Sequence, residues 1–266
     1  MLPSTSPMRE FTHKLNGLRM VIFALFVREL QSRFNDKLGL GWAFFEPFLF
    51  IAALAFIRGL ISGNNVHGIP IFIFMMIGLM GVQLVTTTMN TVATSISRDK
   101  PLYALRQVQP ISTLLVAGFL ELCIKVGVAV MLGLTLYLME IEFNPDQPLL
   151  LLSMFFVAWI MGVASGAILA IGTEFLPELT KIRQFATRPL FILSAVFFSL
   201  QDVPQKYWHL LNWNPILHVN EIARYASYEE YGMYGVSIVF ILITAAALSF
   251  LMMAIYHITW KRILSQ

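Results

Sequence analysis

Three groups of residues in this sequence have types and spacings that support chemistry in other proteins. Ser165 lies in the run GVASG, and a serine among glycines is a candidate nucleophile for peptide hydrolysis. His218 and Glu221 are three residues apart, which would place two metal ligands on one face of a helix. Glu121 and Lys125 are four residues apart inside an apolar run, where charged groups are costly and often functional.

The first two groups are weak signals when their surroundings are considered. Only His257 remains as a base for Ser165, and it stands near the end of the last apolar run, whereas Ser165 lies deeper in its own. A single His-x-x-Glu is a poor metal signature, and we expect no metal site. Small residues recur at every fourth position around Ser165, which favours close helix packing: Ala158, Gly162, Gly166 and Ala170.

The Glu121 and Lys125 pair leaves two interpretations open. The glutamate precedes the lysine by four residues, which is the favoured order for an ion pair along a helix. The two side chains would then neutralise each other inside a bundle, which is the interpretation that we favour. Alternatively they line a polar path through the membrane.

Composition identifies the elements that must carry these residues. Hydrophobic residues make up 58% of the 266 residues and charged residues only 12%, far from soluble averages. Long apolar segments must be helical in lipid, because every backbone polar group has to be paired within the segment. We therefore predict an all-α membrane protein with six spans, over approximately 42–62, 70–95, 111–139, 148–173, 189–200 and 233–257.

The predicted fifth span, 189–200, is too short to cross a hydrocarbon core of about 30 Å unaided. We treat 1–266 as a single transmembrane domain. Within it, 1–41 is a cytoplasmic and interfacial part with an amphipathic helix over about 11–35, 42–257 is the bundle, and 258–266 is a cytoplasmic tail.

The distribution of basic residues predicts the orientation of the chain. Of the 18 lysines and arginines, most fall in the segments 1–41, 96–110, 174–188 and 258–266, all on one side of the predicted membrane. Positive residues accumulate in cytoplasmic segments, so we expect both termini in the cytoplasm and an even number of spans.

A stripe of uncharged polar residues follows the second predicted span. Gln83, Thr87, Asn90 and Thr94 are spaced four, three and four, so they share one face of a helix. Such a stripe suits either a water-filled conduit for a hydroxyl-rich solute or hydrogen bonds between helices, and the sequence favours neither.

The segment SRDKPLYALRQVQP, 97–110, lies between two apolar runs and has a pattern of its own. Pro101 is placed to start a short helix and Pro110 to stop it. Leu102, Leu105 and Val108 recur at a spacing of three, which predicts a short amphipathic helix on the face of the membrane.

Four stretches resemble one known family, in the family's order. RELQSRFNDKLGLGWAFFEP, 28–47, is similar to the entry to the first span in permeases of type-2 ABC exporters, most closely those that export capsular polysaccharides. LYALRQVQPISTLLVAGFLEL (102–122), RQFATRPLFILSAVFFSLQDVP (183–204) and NWNPILHVNEIAR (212–224) resemble later segments of the same family.

This resemblance implies a transporter subunit that is not itself an enzyme. Two copies would form a homodimer, and each would dock one cytoplasmic ABC ATPase that binds ATP and magnesium, while this chain holds no cofactor. The sequence agrees, since it contains no GxxxxGK[ST] loop. The implied cargo is a lipid-linked, acidic polysaccharide moved out through the bacterial inner membrane. A periplasmic adaptor, or co-polymerase, and an outer-membrane export channel would be further partners; membrane lipid surrounds the chain and no nucleic acid is expected.

The resemblance also implies roles for particular residues. The helix that couples the permease to its ATPase would contain Arg98, Asp99, Lys100, Pro101, Leu102, Tyr103, Leu105 and Arg106. The two leucines and the tyrosine would be anchors in a groove of the ATPase, and the basic residues would supply charge at its rim. Glu178 and Lys181 are expected to add a second contact, and 201–232 is expected to form two re-entrant helices.

Sugars bind through hydrogen bonds and through stacking on aromatic rings. The candidate substrate path is therefore the polar stripe together with Trp42, Phe45 and Trp159, with Arg58 as a contact for an anionic group. The alternatives are a permease for O-antigen, teichoic acid or drugs in the same fold, and an ion-coupled carrier that acts alone.

Overall fold

Helices form nearly all of the regular structure in the computed structural model, which describes residues 7–33, 39–62, 65–104 and 108–264. The helices are α1 (Pro7–Arg33), α2 (Gly39–Ser62), α3 (Ile71–Ala93), α4 (Ser95–Asp99), α5 (Pro110–Leu138), α6 (Pro148–Phe175), α7 (Leu179–Leu193), α8 (Pro215–Ser227) and α9 (Ile238–Leu264). Short 3-10 helices cover Lys100–Ala104, Leu200–Asp202, Gln205–Leu210 and Glu229–Tyr231.

A two-stranded hairpin joins α2 to α3. Strand β1 (Asn65–Val66) pairs antiparallel with β2 (Ile69–Pro70), and Val66 lies opposite Ile69. The two residues between the strands, His67 and Gly68, both have positive φ angles, of 47° and 84°. Positive φ at both central positions gives a tight turn whose twist matches that of the strands.

Five of the helices, α2, α3, α5, α6 and α9, are long and apolar enough to cross a membrane within the described residues. The prediction of an all-α membrane protein is confirmed. Helices α2, α3, α5 and α6 begin and end within a few residues of their predicted runs, whereas α9 extends to Leu264 instead of ending near 257.

The predicted fifth span is not a continuous helix. Helix α7 starts at Leu179 and ends at Leu193, and the chain then turns through 194–199 before a 3-10 helix. Ala195 has a φ of 55°, a conformation that a helix cannot contain. The predicted fifth span, 189–200, is therefore not one continuous helix. The count of six passes and the re-entrant path of 201–232 stay predictions.

Helix α3 forms the centre of the bundle. Almost all of its side chains are buried, and it packs against α2, α5, α6 and α8. Helix α3 contains no charged residue and is mostly apolar, so other helices can surround it without burying a charge of its own. Helices α2 and α9 lie at the periphery and leave most of their apolar side chains partly or fully exposed, as expected for surfaces that face lipid or another subunit.

The small residues of α6 allow α3 and α6 to approach closely. Ala158, Gly162, Gly166 and Ala170 are all buried, which confirms the predicted ridge. A Cβ atom on Gly162 would lie 2.8 Å from the carbonyl oxygen of Leu84, and one on Gly166 would lie 2.7 Å from that of Met89. Main-chain atoms cannot move aside as a flexible side chain would, so these two positions require glycine.

We therefore expect Gly166→Ala to lower the free energy of unfolding by about 1–3 kcal/mol through overpacking. Gly133→Ala in α5 is the matched control, because nothing lies within 4 Å of a Cβ at that position. The control should be neutral or stabilising by about 0.5–1 kcal/mol, since alanine favours a helix. Thermal unfolding in detergent micelles measures both; equal shifts of the same sign would contradict the close packing of α3 on α6.

Candidate functional site: a coupling face and two polar cavities

The predicted amphipathic segment lies at one end of the bundle, directly after α3. We call residues 95–104, which comprise α4 and the 3-10 helix Lys100–Ala104, the coupling segment. Pro101 is the second residue of its 3-10 helix, and Pro110 begins α5 instead of ending the preceding helix. Leu105 and Arg106 lie outside the described residues.

Ion pairs attach the coupling segment to α1. Arg98 lies 2.8 Å from a carboxylate oxygen of Glu29 and 3.3 Å from one of Asp99. Asp99 also forms a close ion pair with Arg28. The carboxylates of Glu29 and Asp99 are buried, whereas the two arginines are partly exposed. Four alternating charges in contact form a network, which holds more firmly than an isolated surface pair.

Further contacts attach the coupling segment to α5 and α6. Lys100 lies 3.3 Å from a carboxylate oxygen of Glu174 near the end of α6. The hydroxyls of Tyr103 and Thr113 are hydrogen-bonded at 2.9 Å, and Leu102 packs against a small apolar cluster that includes Leu25. Leu102 and Tyr103, expected as anchors for a partner, are thus half-buried against their own chain.

The outward face of the coupling segment has a different composition. Ser97, Pro101 and Ala104 are all exposed, at a spacing of four and three residues, and Lys100 is exposed beside them. The exposed Glu178 and Lys181 lie at the same end of the bundle, because α7 begins just after the end of α6 to which Lys100 is attached.

The polar stripe of α3 lines two cavities. The first, which we call the lysine cavity, has a volume of about 460 Å³ and is lined by Gln83 and Thr87 together with Glu46, Glu121 and Lys125. Lys125 lies 3.8 Å from Glu121 and donates a hydrogen bond of 2.9 Å to the side-chain oxygen of Gln83. The predicted ion pair is formed, and the pair also lines a cavity; a polar path through the membrane stays a prediction.

The second cavity lies nearer the coupling segment, and we call it the arginine cavity. Its volume is about 570 Å³. It is lined by Asn90, Thr91, Thr94, Arg183, Gln184, Thr187 and Arg188. Arg183 is buried and has no ionic partner among the described residues, and this burial lowers the pKa of its guanidinium from the usual value.

Four residues of the predicted substrate path lie apart from these cavities. Trp42 and Phe45 are exposed on α2, and Arg58 donates a hydrogen bond of 3.2 Å to the carbonyl oxygen of Phe197. Trp159 donates a hydrogen bond of 2.8 Å to the carbonyl oxygen of Gly118. It lines a separate apolar cavity of about 1150 Å³ between α1, α5 and α6.

The remaining residues of chemical interest are engaged in local contacts. The Ser165 hydroxyl donates a hydrogen bond of 2.7 Å to the carbonyl oxygen of Met161 in its own helix. His218 contacts the carbonyl oxygen of Asn212 at 2.9 Å, and Glu221 pairs with Arg224 at 2.8 Å. Burial raises the pKa of the Glu221 carboxyl, an effect that the Arg224 charge opposes. None of these contacts assembles a nucleophile or a metal site.

Sequence reasoning missed three parts of this arrangement. It did not pair Arg28 and Glu29 with the coupling segment, although the alternating charges of Arg-Glu and Arg-Asp are a usable signal. It did not connect Lys100 with Glu174. It also did not place the arginines of α7 opposite the stripe of α3. Arg183 and Thr187 are four residues apart, so they share one face of α7, just as the residues of the stripe share one face of α3.

The sequence is similar to those of known membrane transport proteins. The sequence profile of the ABC-2 type transporter family matches residues 20–228. The polysialic acid transport protein KpsM of Escherichia coli is 29% identical over 240 residues, which cover 90% of this chain and 93% of that protein. The capsule polysaccharide export inner-membrane protein CtrC of Neisseria meningitidis is 24% identical over 219 residues, or 80% of this chain and 81% of CtrC. BexB of Haemophilus influenzae, with the same description, is 23% identical over 229 residues, or 86% of each chain. With most of its length matched by the profile, the chain belongs to the ABC-2 type transporter family of membrane proteins.

Proposed function

We propose that this chain is the permease subunit of an ATP-driven exporter that moves a lipid-linked, acidic capsular polysaccharide out through the bacterial inner membrane. The names of KpsM, CtrC and BexB support the cargo class, since each describes transport of a capsular or polysialic polymer. The chain would act as a homodimer in the membrane with both termini in the cytoplasm. A periplasmic adaptor and an outer-membrane channel would continue the route.

One observation supports the proposed transport mechanism. The coupling segment is attached to three helices, α1, α5 and α6, while one of its faces stays exposed. Ion pairs link it to α1 and α6, and a hydrogen bond and apolar packing link it to α1 and α5. Force applied to the exposed face would therefore reach several helices together. This is the arrangement that a separate motor needs in order to move a membrane bundle, because packed elements shift as units.

In the proposed cycle, ATP binding closes a pair of ABC ATPases beneath the membrane. Their movement pushes the coupling segments, and the helices around the polar stripe rearrange so that the glycan can pass. Hydrolysis resets the ATPases. The residues of this chain bind the glycan, shield it from lipid and receive the movement; ATP and its magnesium stay on the partner.

The docking surface can be tested at Ala104. Ala104→Glu would bring a carboxylate into the contact with the ATPase, where it lacks a partner. We expect the ATPase to bind this variant at least about tenfold more weakly, equivalent to about 1.4 kcal/mol. Co-purification and titration of the purified ATPase measure the affinity.

Gln205→Glu is the matched control, because Gln205 is exposed in a segment remote from the coupling segment and receives the same charge change. It should bind the ATPase with unchanged affinity. Full affinity of Ala104→Glu for the ATPase would show that the outward face of the coupling segment is not the docking surface.

The ion-coupled carrier has one observation in its favour, the buried Glu121 and Lys125 pair beside the lysine cavity. A carrier of that kind would need these groups to change protonation during transport. The two groups pair with each other, and Lys125 donates a further hydrogen bond to Gln83, so these contacts account for the pair as a structural feature of the bundle.

A further inference from the structure

Helix α7 is amphipathic, and it buries one charged residue while several of its apolar residues are exposed. Its apolar residues Phe185, Ile182 and Ile192 are 79%, 61% and 61% exposed, whereas Arg183 is only 7% exposed. In a membrane, exposed apolar residues face lipid or another subunit at no cost. A buried guanidinium, in contrast, is costly unless it faces polar groups or a bound anion.

The groups that face Arg183 come from the polar stripe of α3. Across the arginine cavity lie Asn90 and Thr94, and Gln184 and Arg188 of α7 complete the wall. Both amides and both guanidinium groups can donate hydrogen bonds. None of the described residues that line the cavity is acidic, so the cavity is positively charged throughout.

Arg183 forms no ion pair with any residue that the structure describes. Within the described part of the chain, its Nε has no hydrogen-bond partner and no carboxylate forms an ion pair with it. Buried arginines are usually paired, since an unpaired buried charge costs several kcal/mol. Because Arg183 lines an open polar space, a negative ligand in that space would supply the missing counter-charge.

The position of the cavity fits a point of entry. Thr94 directly precedes the coupling segment, and the stripe continues from it along α3 to Gln83 in the lysine cavity. By helical rise the two ends of the stripe are about 16 Å apart. A ligand held by the two arginines would lie at the end of the bundle that carries the coupling segment, at the beginning of this stripe.

We propose that the arginine cavity binds the anionic group of the cargo, a phosphate or a carboxylate, at the start of its passage. Arg183 and Arg188 supply the charge, Asn90 and Gln184 add neutral hydrogen bonds, and planar guanidinium groups suit both kinds of oxyanion. This proposal rests on the proposed function, and it assigns to these residues the recognition of the cargo's charge.

The experiment measures binding to the full chain in nanodiscs of neutral phosphatidylcholine, without ATPase or nucleotide. Three probes separate the possible sources of the charge: a fluorescent oligogalacturonate carries carboxylates, short-chain phosphatidate carries a lipid phosphate, and maltohexaose is neutral. We expect the anionic probes to bind more tightly than maltohexaose. The double variant Arg183→Gln/Arg188→Gln should weaken their binding at least about tenfold.

Lys181→Gln is the matched control, because it removes one positive charge from the same helix at an exposed position outside the cavity. Its binding should match that of the wild type. Loss of binding for only one anionic probe in the double variant would support the site and identify the source of the charge. Unchanged binding in the double variant, or equally tight binding of maltohexaose, would overturn the proposal.

The single variant Arg188→Gln distinguishes loss of the site from misfolding, since Arg188 is exposed and its replacement leaves the packing intact. It should weaken the anionic probes about threefold, and an unchanged affinity would again overturn the site. Because the assay contains no ATPase, a negative result overturns only the anion site in the arginine cavity. The proposed function is tested separately, by the effect of Ala104→Glu on ATPase binding.

Discussion

Arg98→Glu is expected to abolish ATP-driven export while the chain stays folded in the membrane. Arg98 lies between the carboxylates of Glu29 and Asp99, at 2.8 and 3.3 Å. A glutamate there would place three carboxylates together, and such like-charge contacts cost several kcal/mol. The coupling segment would detach from α1, so movement of the ATPase would no longer reach that helix. We expect at least about a tenfold fall in ATP-dependent uptake of glycan into inverted membrane vesicles.

Exchanging the two charges tests whether the pair itself matters. In Glu29→Arg/Arg98→Glu the opposite charges are retained in reversed order, and export should recover most of its wild-type rate. Lys206→Glu, an exposed reversal remote from the coupling segment, should export normally. If the exchanged pair stays as inactive as Arg98→Glu alone, the connection of the coupling segment to α1 does not transmit movement.

Arg224→Met is expected to have the largest effect on stability. Arg224 is fully buried and lies 2.8 Å from Glu221, and its guanidinium stacks over the ring of Phe74 at 3.5 Å. It also donates hydrogen bonds to the carbonyl oxygens of Val196 and Phe198, at 3.2 and 3.3 Å. Its removal leaves the buried Glu221 carboxylate without its counter-charge, which destabilises by about 3–5 kcal/mol. Thermal unfolding in detergent micelles measures this loss.

The double variant Arg224→Met/Glu221→Leu separates the two contributions. Replacing both members of a buried ion pair with apolar residues is often nearly neutral, so much of the lost stability should return. A double variant as unstable as Arg224→Met would show that the carbonyl hydrogen bonds and the stacking on Phe74, and not the stranded carboxylate, dominate. Through its contacts with Phe74, Val196 and Phe198, Arg224 fixes α8 against α3 and against the turns of 194–199.

Much of the fold could be predicted from the sequence because long apolar runs have few structural options in lipid. Helices α2, α3, α5 and α6 agree with their predicted runs, and the small residues of α6 predicted close packing before any partner helix was known. An asparagine suits the position before a helix, and the side chain of Asn214 accepts a hydrogen bond from the amide of Ile216 at the start of α8. These features depend on local spacing and main-chain chemistry.

Features that depend on which faces meet could not be predicted. The partners Arg28 and Asp99 are separated by 71 residues; the Arg-Glu and Arg-Asp dipeptides have complementary charges, but their spacing along the chain does not show that they meet. The burial of Arg183 could not be predicted for a related reason: apolar side chains are equally stable against lipid and against protein, so amphipathicity does not indicate which face of α7 is inside. From the sequence, the arginines of α7 therefore predicted only the orientation of the chain in the membrane.

The candidate path was only partly predictable for the same reason. The stripe from Gln83 to Thr94 depends on spacing within one helix, and the structure places it along two cavities. The aromatic residues were chosen by type alone. Trp159 lies instead against an apolar cavity, because the face of α6 that carries it contacts α5 and not the stripe.

The most direct test of the account uses vesicles that contain the purified chain, with and without the ATPase, and a fluorescent lipid-linked acidic oligosaccharide as probe. The central claim is that a separate ATPase, acting on the coupling segment, drives transport. We predict that the probe enters the vesicle lumen only when the ATPase and hydrolysable ATP are both present. Transport of the probe by the chain alone, driven by an imposed proton or sodium gradient, would contradict the claim.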